Sequence, residues 1–314
     1  MFTNNSNLLV NNNLNSGLPV AVCDLDQDGL DDIIRLEDSD ILEIEYQQAD
    51  GSFERFLYGN LGLSKEFTLV MADVDENGFL DIFSGGAYNK LKLLKGTGRT
   101  EFTLSHLSGP EIFLQNANFV DIDNDGEIDL FACHDEGISS VYKNEGGDFT
   151  YDLSVLNPVS TIPSDDSGNY GSIWADYDND GDIDLYISKC RFNVLDTLDG
   201  RRVNLLFRND GEDGFKEVAE EANLRPYAQS WASAFEDIDN DGDLDLFVVN
   251  HDKISMLYEN EGDGTFKDIT EEAGLLPDLN EIGFGLQVVM RDYDNDTYVA
   301  VSYTHLTLPT TSRV

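Results

Sequence analysis

Short apolar runs separated by clusters of Asp, Asn and Gly set the rhythm of this chain. Five runs follow directly on an aspartate-rich turn: "DIIRL" at 32–36, "DIFSG" at 81–85, "DLFAC" at 129–133, "DLYIS" at 184–188 and "DLFVV" at 245–249. Each is shorter than a helix needs and is bounded by turn formers, which predicts buried β-strands. Small and apolar residues precede the same turns, as in "PVAVC" at 19–23, "TLVMA" at 68–72, "ANFV" at 117–120, "GSIWA" at 171–175 and "ASAFE" at 232–236. A strand is therefore expected on both sides. Downstream, residues 43–56, 140–153, 204–218 and 255–269 each read as strand, Asn/Asp/Gly turn and strand, a hairpin. "EVAEEANL" at 217–224 and "DITEEAGL" at 268–275 read as short helical connections.

The unit repeats. The turns start at 24, 73, 121, 176 and 237, and a sixth begins as "DYDND" at 292, so the starts lie 49, 48, 55, 61 and 55 residues apart. Four antiparallel strands at that pitch describe a propeller blade, and one blade cannot bury both faces without neighbours. The expected fold class is all-β, a β-propeller of four-stranded blades. Its repeats fall at about 20–66, 67–115, 116–170, 171–230 and 231–286, with a partial repeat at 287–296 and residues 1–19 supplying a strand to a closing blade. Five repeats and a fragment suggest a longer parent of about seven blades. Residues 297–314 contain no acidic residue, and "VSYTHLTLPTTSRV" resembles a translated sequencing-adapter tail, so this segment is expected to be non-native.

The turn itself carries chemistry. Its five full copies are "DLDQDGLDD", "DVDENGFLD", "DIDNDGEID", "DYDNDGDID" and "DIDNDGDLD". A hard divalent cation takes six to eight oxygens, and a loop of this kind offers them from alternating side chains, a backbone carbonyl and a closing carboxylate. The candidate ligands are Asp24, Asp26, Asp28, Leu30 and Asp32 in loop 1, and Asp73, Asp75, Asn77, Phe79 and Asp81 in loop 2. Loop 3 offers Asp121, Asp123, Asp125, Glu127 and Asp129; loop 4 offers Asp176, Asp178, Asp180, Asp182 and Asp184. Loop 5 offers Asp237, Asp239, Asp241, Asp243 and Asp245. The seventh residue contributes its carbonyl, and the sixth is glycine, which tolerates positive φ. An all-oxygen donor set selects Ca²⁺ over zinc or copper. An EF-hand is excluded, because position 12 is Arg35, Ser84, Ala132, Ile187 and Val248 instead of glutamate. Asn77 replaces an aspartate, so loop 2 is expected to bind more weakly, and the sixth copy lacks its glycine and closing aspartate.

Charge narrows the functions. The 314 residues carry a formal charge of −43, from 62 acidic against 19 basic residues. That field repels nucleic acid and anionic membranes. The chain has no apolar run long enough to span a bilayer. No signal peptide is read at the start, which is expected to reflect truncation. Three cysteines, Cys23, Cys133 and Cys190, do not make a disulfide framework.

The loop "DxDxDGxxDL" within a strand-rich repeat resembles the FG-GAP/VCBS repeat family, whose calcium loops also occur in integrin α subunits. "LYENEGDGTFKDITEEAGL" at 257–275 is similar to the cartilage acidic protein (CRTAC/ASPIC-UnbV-associated) branch of that family. The resemblance covers about residues 20–296 and implies an extracellular, cell-surface or periplasmic, calcium-stabilised module. Such a module would bind a protein or glycan ligand, as part of a longer chain and without catalysis. The alternative is a scaffold or accessory domain of a secreted polysaccharide lyase or hydrolase. A third reading is a scaffold domain of a larger surface protein. The lyase reading needs a cationic base, and Lys92, Lys95, Lys189, Arg191, Arg201 and Arg202 show no matching positions across the repeats.

Other residues read as packing. Trp174 and Trp231 lie on or near strands that enter a turn, and Tyr142, Phe207 and Tyr258 recur at one hairpin position. His106, His134 and His251 share no spacing, and His305 falls in the tail set aside. Cys133, His134 and Asp135 are adjacent, but neighbours along a strand point to opposite faces. No catalytic constellation is found.

Overall fold

The computed structural model describes residues 6–11, 16–38, 40–62, 65–282, 285–292 and 299–305. Within them the chain forms five four-stranded antiparallel sheets and one two-stranded sheet. Sheet 1 comprises β1 (Ser16–Cys23), β2 (Asp32–Glu37), β3 (Ile41–Gln47) and β4 (Phe53–Asn60). Sheet 2 comprises β5 (Glu66–Ala72), β6 (Asp81–Gly86), β7 (Lys92–Gly98) and β8 (Glu101–His106). Sheet 3 comprises β9 (Leu114–Val120), β10 (Asp129–His134), β11 (Ser140–Glu145) and β12 (Asp148–Tyr151). Sheet 4 comprises β13 (Asn169–Ala175), β14 (Asp184–Lys189), β15 (Leu205–Asn209) and β16 (Phe215–Glu217). Sheet 5 comprises β17 (Ser230–Glu236), β18 (Asp245–Asn250), β19 (Met256–Asn260) and β20 (Phe266–Asp268). Every sheet is a meander, each strand hydrogen-bonded to the next in sequence, which is the blade of the expected β-propeller class.

Burial explains the strand sequences. The second strand of a sheet is covered on both faces: all six residues of β6, β14 and β18 are buried, so these strands read as continuous apolar runs. The fourth strand is covered on one side only, and β8 alternates half-buried and exposed residues along Glu101–Leu104. Two compact units are distinguished, one of residues 1–121, 125–132 and 140–153, the other of 122–124, 133–139 and 154–314. In the first, Ile34, Ile44 and Tyr46 of sheet 1 pack with Leu69, Ile82 and Leu94 of sheet 2. A further layer joins Phe83 and Leu93 to Leu114, Leu130 and Tyr142 of sheet 3. In the second, Tyr186 and Leu206 of sheet 4 meet Leu246, Val248 and Tyr258 of sheet 5. Stacked apolar faces of this kind hold each blade in place.

Two expected helices are corrected. Glu217 ends β16 and Asp268 ends β20, and the residues that follow make single turns, closed by Ala222 N–H on the Val218 carbonyl and Ala273 N–H on the Ile269 carbonyl. So few residues cannot sustain a helix when a strand already claims the first of them. A short helix, α1 (Leu276–Ile282), comes just after. Of the sixth repeat, residues 293–298 lie outside the described residues. β21 (Gly285–Arg291) pairs with β22 (Ala300–His305), inside the segment set aside as a tail, and Val288 and Met290 pack on Phe247 and Val249. The six basic residues weighed for a lyase are corrected in one respect. Lys95 recurs as Lys143 and Arg208, each next to the residue that pairs with the start of the sheet's second strand. The signal was missed because the register of the third strand is not visible before the pairing is known.

Candidate metal centres

Each aspartate-rich loop joins the first two strands of a sheet. The residue before the loop pairs with its ninth residue: Cys23 with Asp32, Ala72 with Asp81, Ala175 with Asp184, and Glu236 with Asp245. The loop is thus a hairpin connection, with the ninth aspartate as the first residue of the buried second strand.

The first aspartate folds the turn. In loop 4, Asp176 Oδ1 accepts from Asp180 N–H at 3.0 Å and Oδ2 from Gly181 N–H at 3.0 Å, and the same pair recurs in the other four loops. The fifth residue accepts from the seventh N–H: Asp28 from Leu30, Asn77 from Phe79, Asp125 from Glu127, Asp180 from Asp182 and Asp241 from Asp243. Positive φ is needed twice, at the glycine and two residues earlier. Gly181 has φ 96° and Asn179 has φ 59°, with Gln27, Glu76, Asn124 and Asn240 at the matching place. The sequence marks the glycine clearly; the earlier left-handed residue is marked only where it is asparagine.

The ninth aspartate ties the loop to the sheet. Asp184 Oδ2 accepts from Tyr177 N–H at 3.1 Å and Oδ1 from Asn209 N–H at 2.8 Å. Asp32, Asp81 and Asp245 make the equivalent pair. All five ninth aspartates are at most 2% exposed. Burial pushes Asp184 up to about 7 and Asp245 up to about 6, and raises Asp32 and Asp81, against the pull of their N–H donors. A carboxylate in this setting lacks a positive partner.

Three carboxylates converge in every loop. Asp24, Asp26 and Asp32 each place an oxygen within 4.8 Å of the others, as do Asp73, Asp75 and Asp81; Asp121, Asp123 and Asp129; Asp176, Asp178 and Asp184; and Asp237, Asp239 and Asp245. The fifth-position carboxylates and the acidic seventh residues are not in these groups. Asp125 instead meets Lys143 Nζ at 2.9 Å, which holds its carboxyl below the ordinary range. In loops 1, 2 and 4 the third aspartate carries an unsatisfied oxygen. Asp26 Oδ1, Asp75 Oδ1 and Asp178 Oδ1 are buried with no hydrogen-bond partner. Aimed among like charges, such oxygens fit an oxygen-coordinated divalent cation.

Two sets of residues around the loops escaped the sequence. Asn144, Asn209 and Asn260 recur in the hairpin phrases "KNEG", "RNDG" and "ENEG". Their N–H groups hold the ninth aspartates, and their Oδ1 atoms accept from the turn glycines 147, 211 and 262. The other set is cationic: Arg99 donates to Asp26 at 2.6 Å, and Lys95 lies 3.9 Å from Asp75. At the place of Lys95, Lys143 and Arg208, sheet 5 has Glu259.

The residues read as packing are placed by the structure. Tyr142, Phe207 and Tyr258 are buried. Trp231 lies between Tyr170 and His251, with ring centroids at 5.4 and 4.3 Å, and Trp174 meets Phe215 edge-on. Cys23, Cys133 and Cys190 are free thiols, and burial pushes Cys133 up to about 12, which keeps it protonated.

Stacked four-stranded blades, each opened by a carboxylate-lined hairpin that could hold a metal ion, define a class of repeat protein. The FG-GAP-like repeat family matches residues 73–132, 121–187, 194–248 and 237–299, well over half of the chain, and the chain belongs to that family. Cartilage acidic protein 1 of Xenopus tropicalis is 27% identical over 270 residues, covering 76% of this chain. The chain spans 39% of that relative's length. Among solved structures, the V. cholerae biofilm matrix protein Bap1 is similar over 81% of this chain and 39% of its own, with 18% identity and a TM-score of 0.45. BBS1N in complex with ARL6DN is similar over 92% of this chain and 91% of its own, with 8% identity and a TM-score of 0.44.

Proposed function

We propose that this chain is a calcium-stabilised recognition module acting outside the cytoplasm, where it binds a protein or glycan without turning it over. The observation that carries the reading is the buried, unpartnered oxygen of Asp26, Asp75 and Asp178, each inside a three-carboxylate group. Bound calcium would give these unpartnered oxygens a positive partner and fix the turn between the first two strands. The aspartates at positions 1, 3 and 9 would hold it, and the ordered loops would leave recognition to other connections. Sites of modest affinity fill at the roughly 10⁻⁴–10⁻³ M calcium of extracellular modules.

One connection suits recognition. Between their second and third strands, four sheets use residues 38–40, 87–91, 135–139 and 251–255, whereas sheet 4 uses 190–204. That longer loop exposes Phe192 at 86%, Leu195 at 88% and Leu198 at 64%. Leu198 also lines a cavity of about 640 Å³ with Ile162, Pro163, Val203 and Tyr227. Cations that a lyase would recruit are already engaged: Lys92 with Glu66, Lys189 with Asp165, Arg191 with Asp135, Arg201 with Asp199 and Arg202 with Asp252.

The test is thermal unfolding in excess EGTA and then in millimolar Ca²⁺ or Mg²⁺. One site at one hundred times its Kd adds about 2.7 kcal/mol, so several sites raise Tm by many degrees. A large rise with Ca²⁺ and little with Mg²⁺ is expected; an unchanged Tm in a folded sample would reject the calcium reading.

A further inference from the structure

Loops 4 and 5 are joined at two places. Asn179, the fourth residue of loop 4, donates from Nδ2 to Asp243 Oδ1 at 2.8 Å and to the Gly242 carbonyl at 3.4 Å, both in loop 5. Asn260 closes the link from the other side. Its N–H donates to Asp245 Oδ1 at 2.8 Å, and its Nδ2 donates to the Tyr177 carbonyl at 2.8 Å. Tyr177 is the second residue of loop 4, and its own N–H donates to Asp184 Oδ2. A continuous path, Asp245–Asn260–Tyr177–Asp184, therefore connects the ninth carboxylates of two adjacent loops. Asn260 is 3% exposed, so water does not compete along this path.

We infer that loops 4 and 5 take up cations as a coupled pair, with Asn260 and Asn179 transmitting occupancy from one to the other. This rests on the calcium reading, which the buried, unpartnered Asp178 Oδ1 supports within loop 4 itself. A cation in loop 5 fixes Asp245, hence Asn260, hence the Tyr177 peptide and Asp184. Loop 4 then has less freedom to lose when it binds, and the effect is reciprocal.

The links thin out in the first unit. Asn144 repeats the buried link between loops 3 and 2, with its N–H on Asp129 Oδ1 at 2.8 Å and its Nδ2 on the Val74 carbonyl at 2.7 Å. Loop 2 has Glu76 at the place of Asn179, and an ionised glutamate has no proton to donate. Between loops 1 and 2, Gly96 stands where Asn260 would be, and Gln27 Nε2 donates to the Gly78 carbonyl at 2.9 Å. Coupling is expected to be strongest for loops 4 and 5.

The test uses terbium on the full chain. Loop 4 has Tyr177 beside Asp178, whereas the matching residues are Leu25, Val74, Ile122 and Ile238. Tyr46 lies against Arg99 near Asp26 of loop 1, so every sample carries Tyr46→Phe, and tyrosine-sensitised luminescence then weights loop 4. Loop 5 is disabled by Asp237→Asn with Asp239→Asn. This change should weaken terbium binding at loop 4 by about threefold or more in the native background. It should weaken it less in Asn179→Ala, less again in Asn260→Ala, and not at all when both asparagines are replaced. Asn179 is exposed, so its variant remains informative if the buried Asn260→Ala fails to fold. Saturable luminescence, displaced by Ca²⁺ and indifferent to loop 5, would overturn the coupling while keeping the calcium reading. Absence of any saturable signal would overturn both.

Discussion

Arg99 Nε donates to Asp26 Oδ2 across 2.6 Å, so a side chain from sheet 2 places a fixed positive charge in the carboxylate group of loop 1. The guanidinium also reaches Glu54 at 2.8 Å and lies 4.3 Å from the centre of the Tyr46 ring. A resident cation competes with calcium for the same oxygens. Arg99→Ala should therefore tighten calcium binding at loop 1 by about tenfold, while the ion-free protein loses stability. Calorimetric titration checks this, with one additional high-affinity site expected. The same titration curve for variant and native protein would show that Arg99 stands outside the site.

Asp184 accepts two backbone N–H groups, from Tyr177 in its own loop and Asn209 in β15, and belongs to the three-carboxylate group of loop 4. Asp184→Asn leaves an amide NH₂ opposed to one of those donors, a cost of roughly 1–3 kcal/mol in buried surroundings. The variant should also lose part of its calcium stabilisation, because one ligand charge has gone. Urea unfolding with EGTA and with calcium separates the two effects. Equal losses in both conditions would mean that Asp184 serves the hairpin alone.

Much of this was legible in the chain. A ninth aspartate followed by a short, mostly apolar run marks both the end of a loop and the start of a strand buried on two faces, so "DLYIS" predicted β14 without help. The loop ligands were legible because a charge repeated every second residue has few structural explanations. What escaped depends on neighbours in space. Asn260 reads as a hairpin residue, and only the stacking of sheet 5 on sheet 4 brings its Nδ2 to the Tyr177 carbonyl. Arg99 lies 73 residues from Asp26, with no pattern joining them. The failed helices erred the other way, since "EVAEEANL" has helical composition but its first residue is already paired in a strand.

Glu76 has φ 53°, a left-handed conformation in which asparagine is favoured and glutamate is strained, while loops 3, 4 and 5 have asparagine at the same place. Glu76→Asn should stabilise the protein by about 0.5–1 kcal/mol and remove one charge from a crowded loop. Asn77→Asp at the next position adds a negative charge beside the three-carboxylate group, at the cost of the Asn77 Nδ2 bond to the Gly96 carbonyl. It should tighten calcium binding at loop 2 through charge alone. Thermal unfolding in EGTA reads the first change and calcium titration the second. A lower Tm for Glu76→Asn would mean that the glutamate makes a contact worth more than the strain.

Without calcium, the ninth aspartates should make stability fall as pH rises. Burial pushes Asp184 up from 3.8 to about 7 and Asp245 to about 6. Between the unfolded and folded values the native state holds protons that the unfolded chain has released, so acidification through that window favours folding. Taking Asp184 alone, the calcium-free protein should gain about 2 kcal/mol between pH 7 and pH 5. The general relief of a −43 charge acts in the same direction. Asp184→Asn isolates the local part, because it removes one proton site and barely changes the total charge. Denaturation at a series of pH values in EGTA should show a shallower slope for the variant than for the native protein. In saturating calcium the native slope should flatten or reverse, since the ion replaces the proton as the partner of the buried carboxylate. Identical slopes for native and variant in EGTA would assign the pH dependence to surface charge and leave Asp184 ionised throughout.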